Sequence, residues 1–308
     1  MTAQALRADG AGRAVRPAPW AVRRERAEAL RERYPFAREP LALYRALVDT
    51  QEAAWAAARR DPLGAADLCE YGAARVLPGV IAATIAAGPR SLADILRAQF
   101  AGASAASGVQ MIRRWLDGDD QPPVERYLAR ASGGPLLEAL GERAGEASGG
   151  GRTFEDGRGA HCPVCGGPPQ LTVIAAPAES LVSGLRSLVC SRCAAAWPYP
   201  RLTCAACGEQ ATANLTVLAE EGTDERALSG STVRGLRGRP ETPGTRAGPR
   251  FPHMRIDACT TCSRYLVSID LGRDPRAVPL VDELAAIPLD LHAVGSGFTK
   301  VVPNLMGA

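Results

Sequence analysis

Eight of the nine cysteines fall into four Cys-x-x-Cys pairs: Cys162/Cys165, Cys190/Cys193, Cys204/Cys207 and Cys259/Cys262. Two intervening residues let a tight turn aim both sulfurs at one point while backbone N–H groups bond back to them. Two such knuckles make a tetrahedral tetrathiolate site of the kind that holds structural zinc or rubredoxin-like iron. One pair alone would carry little weight; four in one chain predict two metal ions with eight cysteine ligands.

An internal repeat indicates which knuckles share an ion. The first unit opens with Cys162-x-x-Cys165-Gly166 and runs into Leu171-Thr172-Val173; Arg186 stands four residues before Cys190, and Trp197 follows Cys193. The second opens with Cys204-x-x-Cys207-Gly208 and runs into Leu215-Thr216-Val217; Arg255 stands four residues before Cys259, and Tyr265 follows Cys262. Only the first knuckle of each unit has glycine after its second cysteine, where a positive φ is expected. Sequential pairing is therefore favoured, with gaps of 24 residues (166 to 189) and 51 residues (208 to 258) inside the two sites. The rival joins the second and third knuckles across the ten residues 194 to 203.

Other uses of these residues are weaker. A disulfide framework belongs to an exported protein. No export signal is read here: Arg23-Arg24 is followed by Glu25-Arg26-Ala27-Glu28, far too polar for one. A thioredoxin-type dithiol opens a long helix, whereas these knuckles sit among glycine, proline and short strands. Cys69 reads as a buried thiol without a role, and His161, beside Cys162, as a bystander to four sulfurs. His253 and His292 have no carboxylate or nucleophile at a telling spacing. A phosphate-binding glycine loop, a nucleophile elbow and paired catalytic carboxylates are all missing, which weighs against an enzyme.

The elements expected to position the cysteines come in two compositional halves. Residues 1–20 read as a mobile tail, 21–144 as a helical domain and 145–159 as a glycine-rich linker. Apolar residues recur at helical spacing at Leu41, Tyr44, Val48 and Trp55, at Leu92, Ile95, Leu96 and Phe100, and at Met111, Ile112, Trp115 and Leu116. Breaks are predicted at Asp61-Pro62, Pro78-Gly79, Gly88-Pro89, Pro122-Pro123 and Gly133-Gly134-Pro135, with Ser91 capping the Leu92 helix. Past the linker, short strands such as 171–174 and 215–218 alternate with turns. Residues 160–203 form the first ribbon, 204–270 the second with a flexible Arg/Gly/Pro-rich loop at 230–250, and 271–308 a helix over 280–287 and a tail. The predicted fold is thus α+β: an N-terminal all-α helical bundle followed by two tandem rubredoxin-like or zinc-ribbon-like metal modules of four cysteines each.

Of the 308 residues, 46% are hydrophobic, enough for a sizeable core. The net charge is +3, and Lys300 is the one lysine among 36 basic residues. A nucleic-acid surface usually mixes the two, so no nucleic acid is expected. No uninterrupted run of about 18 apolar residues occurs, so no membrane contact is expected either. A cytoplasmic, thiol-reducing setting follows.

These residues resemble the formate dehydrogenase accessory proteins, the FdhE family. The matching features are Cys162-Pro163-Val164-Cys165-Gly166, then Cys190-x-x-Cys193 with Trp197, Arg201 and Cys204-x-x-Cys207. Further on come Cys259-x-x-Cys262 with Tyr265-Leu266, Asp274-Pro275, Val281-Asp282-Glu283-Leu284-Ala285 and Leu289-Asp290. In the first half Pro40-Leu41-x-x-Tyr44 and Gln51 match more loosely. The chain departs from the pattern at Ala196, where an acidic residue is expected, and in the extra length of 230–250. The resemblance implies a cytoplasmic maturation chaperone that binds the molybdenum-containing catalytic subunit of formate dehydrogenase before export. It also implies rubredoxin-like iron in the knuckles, with zinc the alternative. Two rival readings are a redox-active protein that carries electrons or senses oxygen, and a zinc-ribbon nucleic-acid binder using the arginine-rich loop.

Overall fold

Helices account for the first half of the chain because apolar residues there recur every three or four positions. A computed structural model describes residues 17–61, 67–100, 104–147, 159–176, 184–220, 232–236 and 249–308. Most of the expected tail, most of the expected linker and much of the 230–250 loop lie outside the described residues. Helix α1 spans Trp20–Arg33, α2 Arg38–Arg60 and α3 Asp67–Tyr71, which passes through a π turn, Gly72–Val76, into α4, Leu77–Ala87. Then follow α5 (Arg90–Gln99), α6 (Ala105–Asp117) and α7 (Pro123–Ala147).

Helix α2 has two buried faces. Leu41, Tyr44 and Val48 enter one core with α1 and the sheet, whereas Leu43, Leu47, Ala54 and Ala58 enter a second core with α3–α7. Helix α1 and one face of α2 are therefore part of the sheet's own hydrophobic core, whereas the other face of α2 and α3–α7 form a core of their own. Arg23 on α1 pairs with Glu138 on α7 (Nη1–Oε2 3.1 Å), and Arg26 pairs with Asp274 and Asp282 from the C-terminal region.

Two expected breaks do not occur. Pro78 lies in the first turn of α4, where its missing N–H costs little, and the helix from Asp67 to Ala87 is continuous. That 21-residue helix is long and apolar enough by composition to cross a membrane, but 44% of its most apolar window is buried in the bundle. At Gly133-Gly134-Pro135, α7 likewise runs on. Pro135 cannot donate to the carbonyl four residues back, Ala131, and the buried Gln51 side chain supplies that bond instead (Nε2–O 3.1 Å). The Ser91 cap also fails: α5 starts at Arg90, with Pro89 preceding it and no side-chain cap. Asp61, Gly88 and Pro122 do separate helices.

The strands are β1 (Pro169–Ile174), β2 (Arg186–Cys190), β3 (Ala196–Pro198), β4 (Leu215–Glu220), β5 (Thr232–Leu236), β6 (Met254–Cys259), β7 (Arg264–Asp270) and β8 (Thr299–Lys300). They form one eight-stranded sheet in the order β3-β2-β1-β7-β6-β4-β5, with β8 beside β7. Each cysteine repeat contributes a three-stranded antiparallel unit, β3-β2-β1 or β7-β6-β4. The units join where β1 and β7 pair in parallel, Leu171 opposite Val267. Part of the region read as a flexible loop is a strand: β5 pairs in parallel with β4, Thr232 opposite Thr216, and so covers an open edge.

Leu171, Val173, Val267 and Ile269 point into the core shared with α1 and α2, while Leu188, Trp197 and Leu266 pack on the cysteine side. The single helix expected over 280–287 is two. Helix α8 spans Pro279–Asp282, tightens into a 3₁₀ turn at Glu283–Ala285, and α9 (Ile287–Gly295) starts afresh. Pro288 explains the restart, because it clashes with the carbonyl of a continuing helix.

Candidate metal centres

The first knuckle precedes β1, and the second follows β2 and turns into β3. Because Pro169 lies opposite Cys190 in the β1–β2 register, the strand ends bring the two knuckles together. The sulfurs of Cys162 and Cys193 are 3.5 Å apart and those of Cys165 and Cys190 3.4 Å apart. In the second repeat Leu215 faces Cys259, and Cys204/Cys262 and Cys207/Cys259 are each 3.8 Å apart. Within each group of four, all sulfurs lie within 4.8 Å of one another. A tetrahedron built on metal–sulfur bonds of ~2.3 Å has edges of ~3.8 Å. Both groups fit such an ion, and all eight cysteines are free thiols. The grouping is the sequential one.

Backbone turns prepare the sulfurs as acceptors. Val164 N–H points at Cys162 Sγ (3.4 Å), Arg192 N–H at Cys190 Sγ (3.3 Å) and Ala206 N–H at Cys204 Sγ (3.4 Å). Each first knuckle closes with matching hydrogen bonds, Gly166 N–H to Cys162 O at 2.8 Å and Gly208 N–H to Cys204 O at 3.0 Å. Gly166 and Gly208 have φ of +71° and +79°; Ala194 and Ser263, in the same place on the second knuckles, have +57° and +55°. All four knuckles thus use the left-handed turn, two of them with a side chain that disfavours it.

Crowded thiols cannot all ionise without a cation. Hydrogen bonding with Cys162 holds Cys165 below the usual thiol range and pushes Cys190 and Cys193 above it. In the second group burial pushes Cys204 and Cys262 up. A bound divalent ion would favour the thiolate at all four positions of each group.

The two surroundings differ. Cys162, Cys190 and Cys193 are buried, and α7 closes over them with Gly141, where a Cβ would lie 3.6 Å from that of Cys193 and 3.3 Å from Val164 Cγ1. Trp197 packs beneath and donates its indole N–H to Gly159 O (2.9 Å). In the second group Cys207 is exposed and Cys262 half-buried. There Glu209 ties the knuckles together: its carboxylate accepts from Thr261 Oγ1 (2.6 Å), Asn214 Nδ2 (2.9 Å) and Ala211 N–H (2.8 Å). These bonds, that from Thr261 foremost, hold its pKa at about 2. Sequence reasoning missed Glu209, although an acid directly after Cys-x-x-Cys-Gly is a visible signal.

The remaining candidates fall outside both groups. His161 is exposed, the His292 ring lies 3.5 Å from Ser296 Oγ, and Cys69 is buried in α3, where burial pushes its thiol up. His253 is a correction. Its sequence neighbours offered no carboxylate at a telling spacing, but the fold brings Asp274 and Asp282 to it, with His253 Nε2 3.1 Å from Asp282 Oδ1. Arg26 binds both carboxylates, so this is a salt-bridge network tying α1 to α8. The lone lysine, Lys300, is buried with Glu283 (2.8 Å) and Asp290 (3.1 Å).

The FdhE central-domain family matches residues 161–201, which hold both knuckles of the first group. An FdhE homolog of Pseudomonas putida is 31% identical over 147 residues, 48% of this chain and 38% of the relative. One from Aquifex aeolicus is 30% identical over 147 residues, 48% of this chain and 41% of the relative. The chain thus matches about four tenths of these relatives' length. The crystal structure of the FdhE protein from Pseudomonas aeruginosa superposes with a TM-score of 0.62 at 23% identity, covering 96% of this chain and 99% of that one. At that identity the superposition speaks for the fold.

Proposed function

We propose that this chain is a member of the FdhE family and a maturation factor for formate dehydrogenase. The observation that carries this reading is the family match over 161–201, coinciding with the first of two four-cysteine groups. On this reading the protein acts in the cytoplasm, binds the molybdenum-containing catalytic subunit before export, and performs no catalysis of its own. Cys162, Cys165, Cys190 and Cys193 hold one ion, and Cys204, Cys207, Cys259 and Cys262 the other. The family resemblance favours iron, with zinc the alternative.

The ions would serve as folding staples. A structural tetrathiolate ion contributes roughly 10–16 kcal/mol of apparent binding energy in small domains. The second group needs that support most, since its local core contains little beyond Leu215 and the cysteines. The test is formate-dependent dye reduction in extracts of a strain lacking the gene, with wild-type or Cys204→Ala protein restored. Loss of activity without the gene and recovery only with intact cysteines is expected. Unchanged activity in the deletion strain would overturn the maturation role.

A further inference from the structure

The arginines that stand four residues before the second knuckle of each repeat take no part in holding the sulfurs. The fold brings them to one place. Arg186, at the start of β2, and Arg255, on β6, both face Asp257: Arg255 Nε lies 3.0 Å from Oδ1 and Arg186 Nη2 3.6 Å from Oδ2. They line a cavity of about 60 Å³ in the seam between the repeats, with Cys204 and Cys259 in its wall. Two more arginines, Arg201 and Arg264, line it where it meets solvent, and both are exposed.

The charge in this cavity is out of balance. Its lining holds four arginines and one carboxylate, an excess of three positive charges. Four thiolates around a divalent ion in the adjoining group would carry two negative charges, which leaves one positive charge uncompensated. A second observation points the same way. The Arg186 side chain is only 5% exposed, and although its Nη1 donates to Pro200 O (2.8 Å) and Thr203 O (3.0 Å), its Nε has no hydrogen-bond partner among the described residues. A buried guanidinium N–H without an acceptor is costly, and a carboxylate or other oxyanion is the acceptor that matches its fork. By the same volume measure one water needs about 10–15 Å³, so the space takes a few water-sized groups, the size of a carboxylate or small oxyanion.

We propose that this seam is an anion-binding site for a carboxylate or small oxyanion, held by Arg186 and Arg255 inside and by Arg201 and Arg264 at the mouth. The site is independent of the formate dehydrogenase reading. Its ligand is either a free anion or an acidic side chain of a bound protein.

The experiment uses the full-length, metal-loaded protein with ¹⁵N-labelled arginine, following Arg186 Nε–Hε by NMR at constant ionic strength. The probes are sodium acetate, sodium sulfate and a blocked aspartate, N-acetyl-aspartate N-methylamide. A saturable one-to-one shift is expected, weakened about tenfold or more by Arg264→Gln or Arg201→Gln, since charge-assisted bonds dominate such sites. These variants are at the exposed mouth, so the test survives if Arg186→Gln fails to fold. Saturation by the blocked aspartate alone supports a protein side chain as the ligand; saturation by acetate or sulfate supports a free anion. Non-saturating shifts, unchanged in Arg264→Gln, would overturn the site and leave the arginines as counter-charges to the thiolates.

Discussion

Replacing Gln51 by leucine should destabilise the fold by an amount that depends on a proline eighty-four positions away in sequence. Pro135 lies inside α7 and has no N–H, so the carbonyl of Ala131 lacks its helical donor. Gln51 fills that role from α2 at 3.1 Å, with 6% of its surface exposed. Gln51→Leu keeps the volume roughly constant and strands a buried carbonyl, at a cost of about 1–3 kcal/mol. In a Pro135→Ala background the amide at position 135 reaches Ala131 itself, and the same substitution should then cost less than about 1 kcal/mol. Urea unfolding of the four proteins of the cycle, followed by far-UV circular dichroism with metal present, gives the coupling directly. Equal costs of Gln51→Leu in both backgrounds would refute the account.

Further outcomes follow from other parts of the structure. Chelator should strip the ions in two phases, the second group first because Cys207 is exposed; Cys207→Ser should abolish the fast phase, and a single common rate would count against this asymmetry. Gly141→Val should crowd Cys193 and Val164, cost about 1–3 kcal/mol and speed only the slow phase of metal release. Ala194→Gly and Ser263→Gly, which relieve positive φ angles, should each stabilise by up to about 1 kcal/mol in thermal unfolding. Burial raises the Asp274 carboxyl, but Arg26 more than offsets that and holds it below its ordinary 3.8. Its contribution is therefore complete above about pH 4 and lost as pH falls through the lowered folded value. Asp274→Asn should lower stability at pH 7, and the gap from wild type should close below pH 4.

The knuckles and their pairing were legible because a two-residue spacing and a repeat are local signals. The helical stripes were legible for the same reason, since Leu41, Tyr44 and Val48 mark a face whatever covers it. What covers it was not: α1 and α2 pack on the sheet through contacts some 220 residues apart in sequence, such as Tyr34 OH to Arg250 O (2.8 Å). Gly133-Gly134-Pro135 read as a stop because its composition is that of a stop. The remedy sits on another helix, in Gln51, while Gly133 lets Trp115 approach where a Cβ would lie 2.8 Å away. His253 likewise gained its carboxylates only through the tertiary fold, and α9 was hidden by Pro288, which reads as an end and serves as a beginning.

The parallel pairing of β1 with β7 sets a timetable. During synthesis β1 emerges just after the first knuckle and shortly before the second, so the first sulfur cluster can assemble early. The strand's other edge finds its partner only when residues 264–270 appear, nearly a hundred residues later. At elongation rates of about 5–20 residues per second, that is a wait of roughly 5–20 s. For that interval β1, buried along its whole length in the finished fold, is an unpaired sheet edge open to the wrong neighbour. The nascent chain is therefore itself a client for protection, most of all between the closing of its first cluster and the arrival of its last knuckle.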